Sequence, residues 1–110
     1  MEAKIYNQRW WLSSCDDSCH SSCDSEALKA VISADLNRAG FTVLNFVEHY
    51  FQPQGYTALW LLAESHAAVH TFPEQGKSYV ELSSCSASLL ARFDVHLQAA
   101  AEQHQWQVTT

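Results

Sequence analysis

The sequence predicts an α+β fold, a two-layer α/β sandwich in which an antiparallel sheet carries two helices on one face. Two segments place apolar residues at helical spacing, and between them lie several runs rich in β-branched and aromatic residues. The links joining those runs are too short for parallel crossovers, so the strands pair antiparallel. With 110 residues, 47% of them apolar, the chain suits one ordinary core and reads as a single domain over residues 1–110.

The elements follow in order. Ile5 to Leu12 is a first strand, and the polar stretch SSCDDSCHSSCD at 13–24 is a loop. Asp24 or Ser25 caps a helix on which Leu28, Val31, Ile32, Leu36 and Ala39 recur, and Gly40 ends it as a left-handed residue. Phe41 to Phe51 is a strand, Pro53 and Gly55 make a turn, and Tyr56 to Glu64 returns. Ala67 to Phe72 and Ser78 to Ser84 are further strands around a turn at Pro73 to Lys77. From Ser86, the positions Leu89, Leu90, Phe93, Leu97 and Ala100 mark a second amphipathic helix, and Trp106 to Thr109 adds a last strand. Trp10, Trp60 and Trp106 are expected in the core or on a dimer face, whereas His96 and His104 are expected on the solvated side of the second helix.

Charge narrows the partners. Twelve acidic against six basic residues give a net charge of -6, and no Lys/Arg cluster is present. Nucleic acid and anionic membrane surfaces both need a basic patch, so neither is expected as a partner. No apolar run approaches transmembrane length, and the N-terminal stretch lacks the pattern of a signal peptide, which points to the cytoplasm. Cysteines there are thiols or ligands rather than disulfides. Cys15, Cys19 and Cys23 recur every four residues around His20, but the segment is a poor helix and lacks the paired-Cys spacing of zinc sites. They are read as free thiols, and no metal is expected.

The chemistry concentrates between Phe51 and Cys85. The apolar run Ala58 to Ala63 gives out into Glu64-Ser65-His66, with Thr57 before it, His70 five residues after Ser65, and Cys85 twenty after it. Serine and glutamate at a strand end often only cap a turn. A hydroxyl in the company of imidazoles, a second hydroxyl and a thiol is also the set from which covalent chemistry is made. His49 and His66, beside strands, are read as satisfied polar residues.

This stretch resembles the small prokaryotic S-adenosylmethionine decarboxylases, which depend on a pyruvoyl group. The matching residues are Phe51, Pro53, Gly55 and Thr57, then Leu62-Ala63-Glu64-Ser65-His66, His70-Thr71-Phe72-Pro73-Glu74, Gly76 and Cys85. The resemblance implies that the chain cuts itself between Glu64 and Ser65. Ser65 Oγ attacks the Glu64 carbonyl, and the resulting ester is broken by β-elimination after a base removes the Ser65 Cα proton. In that scheme His70 serves processing and catalysis, and Thr57 hydrogen-bonds the oxyanion of the intermediate. Ser65 becomes the pyruvoyl cofactor, whose ketone forms a Schiff base with the substrate amine and accepts the electron pair released with carbon dioxide. Cys85 returns a proton. Phe51 and Phe72 line the nucleoside pocket, Glu74 holds the ribose hydroxyls, and the family forms homodimers.

The chain also departs from the family pattern. The acid expected four residues before Cys15 is Trp11, the expected glycine is Ser14, and the thiol is flanked as Ser84-Cys85-Ser86. These departures leave two further expectations beside decarboxylation of the sulfonium nucleoside. One is a pyruvoyl-dependent decarboxylase of another amino acid, arginine or ornithine; the other is an unprocessed homologue without catalysis.

Overall fold

The computed structural model describes residues 4–14 and 21–110, so Cys15, Cys19 and His20 lie outside the described residues. It contains β1 (Tyr6–Ser14), α1 (Ser25–Ala39), β2 (Val43–Tyr50), β3 (Tyr56–Leu62), β4 (Ser65–Phe72), β5 (Lys77–Ser84), α2 (Ala87–His104) and β6 (Trp106–Thr109). The strands form one antiparallel sheet in the order β2-β3-β4-β5-β1-β6. The expected sandwich is present.

Both helices start where a side chain satisfies free backbone N–H groups and stop where the backbone N–H of a left-handed residue, Gly40 or Gln105, bonds the last carbonyls. The Asp24 carboxylate accepts from the Glu26 and Ala27 N–H groups, and Ser86 Oγ accepts from Leu89 N–H. Gly40, at φ 106°, closes α1 in a conformation that side-chain-bearing residues rarely adopt.

Strand alternation separates two faces. On one face Trp10, Leu12, Ala58, Trp60, Leu62, Val69, Val80 and Leu82 are buried beneath Leu28, Ile32 and Leu36 of α1 and Phe93 and Leu97 of α2. Burial of such large side chains supplies most of the stability, about 1.5–3 kcal/mol for each aliphatic one. The core tryptophans also satisfy their indole N–H groups: Trp10 donates to Asp94, Trp60 to Ser33 and Trp106 to Ser21. All three are core residues.

Among the described residues, the other face has no helix layer. Its residues form rows across the sheet: Trp11, Tyr79, His70, Thr57 and His49 in one, then Arg9, Glu81, Ala68, Leu59 and Val47 in the next. Val47, Leu59 and Leu61 are 61%, 44% and 52% exposed there, an unusual concentration of apolar surface.

Several strand limits differ from expectation: β1 begins at Tyr6, β2 spans Val43–Tyr50 rather than Phe41 to Phe51, and β5 begins at Lys77. β3 ends at Leu62 and β4 begins at Ser65, because Leu62 pairs with Ser65 and only Ala63 and Glu64 form the turn. β1 runs on to Ser14, where the Ser14 and Ser22 hydroxyls are hydrogen-bonded at 3.0 Å.

Candidate functional site

The two-residue turn sets the geometry of the Glu64-Ser65 peptide. Glu64 has φ 59°, a left-handed conformation that costs a non-glycine residue about 1–2 kcal/mol. The turn is held by the β3–β4 pairing and by Ala63 N–H donating to Thr42 O at 3.0 Å. Strain therefore sits on the residue whose carbonyl an attacking Ser65 would take.

Ser65 pairs with Ser84, the last residue of β5, so the turn leaving β5 falls beside the same peptide. Cys85 Sγ lies 3.5 Å from Glu64 Oε2, and both side chains are exposed at the rim. Glu64, Ser65 and Cys85 thus gather at one end of the sheet, although twenty residues separate serine from thiol.

Thr57 and His70 meet elsewhere. They are register partners in β3 and β4, and Thr57 Oγ1 lies 3.0 Å from His70 Nδ1 on the open face. Five strand residues separate Ser65 from His70, a span of about 16 Å, and an odd separation puts their side chains on opposite faces. Ser65 and the Thr57–His70 pair are not brought together within one chain.

The expected substrate-binding residues lie toward the Thr57–His70 end. Phe51 follows β2 and is half exposed, Phe72 closes β4, and Glu74 occupies a short 3-10 turn between β4 and β5. A cavity of about 350 Å³ beside the β2–β3 turn is lined by Phe51, Pro53, Tyr56, Thr71, Pro73 and Cys23, among others. Phe72 packs against Trp11 with ring centroids 5.9 Å apart, and Trp11 against Tyr79 at 5.2 Å. The Lys77 ammonium sits 4.6 Å from the Trp11 ring centroid. Trp11, standing where the family pattern has an acid, extends an aromatic strip that also includes Tyr79, stacked on His70 at 6.1 Å. The period-two alternation of β5 was the signal that would have joined Tyr79 to this strip.

Among the described residues no cluster of His, Cys, Asp and Glu could hold a metal ion, and no helix is long and apolar enough to cross a membrane. Cys23, the described member of the cysteine series, donates toward Lys77 O at 3.4 Å.

Residues 14–109 match the family model described as S-adenosylmethionine decarboxylase. The chain belongs to the S-adenosylmethionine decarboxylase family. Among members of that family, a protein of Prochlorococcus marinus named S-adenosylmethionine decarboxylase proenzyme is 46% identical over 70 residues, covering 63% of this chain and 56% of its own. A Synechococcus protein of the same name is 48% identical over 66 residues, 59% of this chain and 52% of its own. The chain spans about half the length of the curated relatives it matches. The crystal structure of the adenosylmethionine decarboxylase of Aquifex aeolicus superposes with a TM-score of 0.73 at 21% identity, covering 99% of this chain and 89% of the other. That likeness gives the S-adenosylmethionine decarboxylase fold to the whole described chain.

Proposed function

We propose that this protein is a self-processing, pyruvoyl-dependent decarboxylase of S-adenosylmethionine, supplying the decarboxylated product for spermidine synthesis. The observation that carries the reading is the strained Glu64 backbone beside Ser65, with the Cys85 thiol 3.5 Å from the Glu64 carboxylate. Residues of the kinds that the chemistry requires stand at a hairpin turn that holds a non-glycine residue in the left-handed conformation.

The cofactor would be made from Ser65 itself. Once formed, a pyruvoyl group supplies a ketone that binds the substrate amine and draws off the electron pair left by carbon dioxide. Ser65 Oγ takes the acyl group of Glu64; the strain at Glu64 raises the starting amide toward the ester. Thr57 and His70 serve as oxyanion donor and base, Cys85 as proton donor to the product carbon, and Phe51, Phe72 and Glu74 as adenine and ribose contacts.

These roles require a homodimer, because Ser65 and His70 stand about 16 Å apart along one strand. Consider two copies packed open face to open face about a two-fold axis lying between the sheets and across the strands. Such an axis exchanges the two ends of the sheet, bringing the Glu64-Ser65 turn of one copy over the His70 end of the other; the serine, whose side chain starts on the helix side of its sheet, reaches the partner's imidazole around the end of its strand. Halfway between Ser65 and His70 lie Ala67 and Ala68, and Ala68 is the cross-strand neighbour of Leu59, itself paired with Val47. The exposed apolar patch is therefore centred where the axis falls. We place the enzyme in the cytoplasm, where Cys23 and Cys85 persist as thiols.

The experiment is a denaturing mass spectrum with a paired activity assay. Cleavage yields pieces of 64 and 46 residues from the 110-residue chain. The matured protein releases labelled carbon dioxide from carboxyl-labelled S-adenosylmethionine, and Ser65→Ala does neither. A wild-type rate no greater than that of Ser65→Ala overturns the proposal, and release from arginine or ornithine alone redirects the substrate.

A further inference from the structure

The open face carries an imidazole outside the proposed processing set. His49 on β2 stands opposite Thr57 on β3, and Thr57 stands opposite His70 on β4, so one hydroxyl lies between two imidazoles in a single row. What that hydroxyl does with its one hydrogen decides the chemistry of His70. If Thr57 donates to His70 Nδ1, the proton of the neutral ring sits on Nε2 and no lone pair is left to act as a base. If Thr57 accepts from Nδ1–H, Nε2 is bare.

The second arrangement needs a taker for the Thr57 hydrogen, and His49 is placed to be one. Opposed side chains on one face of an antiparallel pair have Cβ atoms about 5 Å apart. Val47, Glu48, His49, Thr57 and Leu59 line a cavity of about 120 Å³, room enough for a bridging water. The His49 ring is itself held edge-on against Phe51, with centroids 4.5 Å apart and planes at 69°. On the far side of His70, Tyr79 gives its hydroxyl hydrogen to Glu81 at 3.0 Å, so it does not compete for Thr57.

We propose that His49 is a positioning residue for self-processing: before the acyl group moves it accepts the Thr57 hydroxyl hydrogen, directly or through one water, and thereby keeps His70 in the tautomer whose Nε2 is free, and Thr57 turns that hydrogen to the oxyanion only once the oxyanion forms. The proposal rests on the reading that His70 serves Ser65 cleavage. It gives His49 a second task besides bracing Phe51.

The test uses nitrogen-15 histidine resonances of the 110-residue Ser65→Ala chain, which cannot cut itself. The His70 Nε2 signal should be that of an unprotonated nitrogen. His49→Phe, which keeps a flat ring against Phe51 but removes the acceptor, should shift His70 toward the Nε2–H tautomer, and His49→Gln, whose amide oxygen accepts, should restore it. In the chain with Ser65 intact, His49→Phe should slow cleavage about tenfold or more, within the range of an acid–base contribution, and His49→Gln should recover most of the rate. An unchanged tautomer in His49→Phe, or a Gln variant as slow as the Phe one, overturns the proposal. Full-rate cleavage by His70→Ala would instead overturn the processing reading, and the resonances would still decide whether His49 sets the tautomer.

Discussion

Thr57 Oγ1 and His70 Nδ1 are 3.0 Å apart, whereas Ser65, on the same strand as His70, lies five residues away along it. A reaction using all three must join two chains. Mixing a Ser65→Ala chain with a His70→Ala chain should therefore restore cutting, because the first supplies the Thr57–His70 pair and the second supplies the serine. Mass spectrometry should find only the His70→Ala chain cut. If neither chain of the mixture is cut while wild-type protein matures normally, the two-chain site is wrong.

The open face gives a second, independent handle on the same geometry. Leu59 is 44% exposed in one chain and lies near the proposed axis, so each copy would bring its Leu59 close to the other's. A charge there would be buried without a partner, at a cost of several kcal/mol in an apolar interface. Leu59→Glu should leave the fold intact, since the side chain points away from the core, yet give a monomer by sedimentation and an uncut chain. A Leu59→Glu protein that remains dimeric and cuts normally places the contact elsewhere.

In the proposed processing, Glu64 bears on the rate of cutting rather than on assembly. Moving the acyl group from nitrogen to Ser65 Oγ lengthens the covalent path to the Ser65 Cα by one atom, which loosens the two-residue turn and relieves the left-handed residue. Glycine adopts that conformation at little cost. In the Ser65→Ala background, Glu64→Gly should raise Tm by about 4–8 °C for each kcal/mol of strain removed. With Ser65 present it should slow cleavage about tenfold, the equivalent of about 1.4 kcal/mol. Glu64→Asn, which tolerates the same backbone, should fall between. Faster cleavage by the glycine variant would show that strain does not drive the acyl transfer.

The helices were legible in the sequence because their ends carry specific chemistry: Asp24 and Ser86 as caps, Gly40 as the stop. The β3–β4 turn was not, because Ala63-Glu64 contains no glycine, proline or asparagine to announce it. That omission hid the site's arrangement as well. Once the turn is known to have two residues, the pairings of Thr57 with His70 and of Leu62 with Ser65 follow from counting, and so does the distance that separates Ser65 from His70. The proximity of Cys85 to Glu64 depends on the β4–β5 register, which spacing alone does not reveal. Trp11, read from the sequence as a departure from a family pattern, acquires a place only when β1 is seen to pair with β5 and to set its ring against Tyr79 and Phe72.

Asp35 links the helix layer to pH. Its side chain is fully buried on α1; Oδ1 accepts from Arg38 at 3.3 Å, and Oδ2 lacks a hydrogen-bond partner among the described residues. Burial pushes the carboxyl above its ordinary value of 3.8, against the opposing pull of Arg38 and, more weakly, of His96 on α2. The native state therefore holds a proton that the unfolded chain has released, so stability falls as pH rises from 3.8 through the native value, and the loss is complete above it. Asp35→Asn removes the charge and keeps the shape. In the Ser65→Ala background it should be more stable than its parent at pH 7 by about 1 kcal/mol, because a neutral amide costs less to bury than a half-paired carboxylate. That advantage should shrink as the pH is lowered toward 3.8. Thermal melts of both proteins at several pH values read the difference directly, and because the other carboxylates are common to both, a gap that stays constant with pH would show that Asp35 is ionised in the folded protein at no cost.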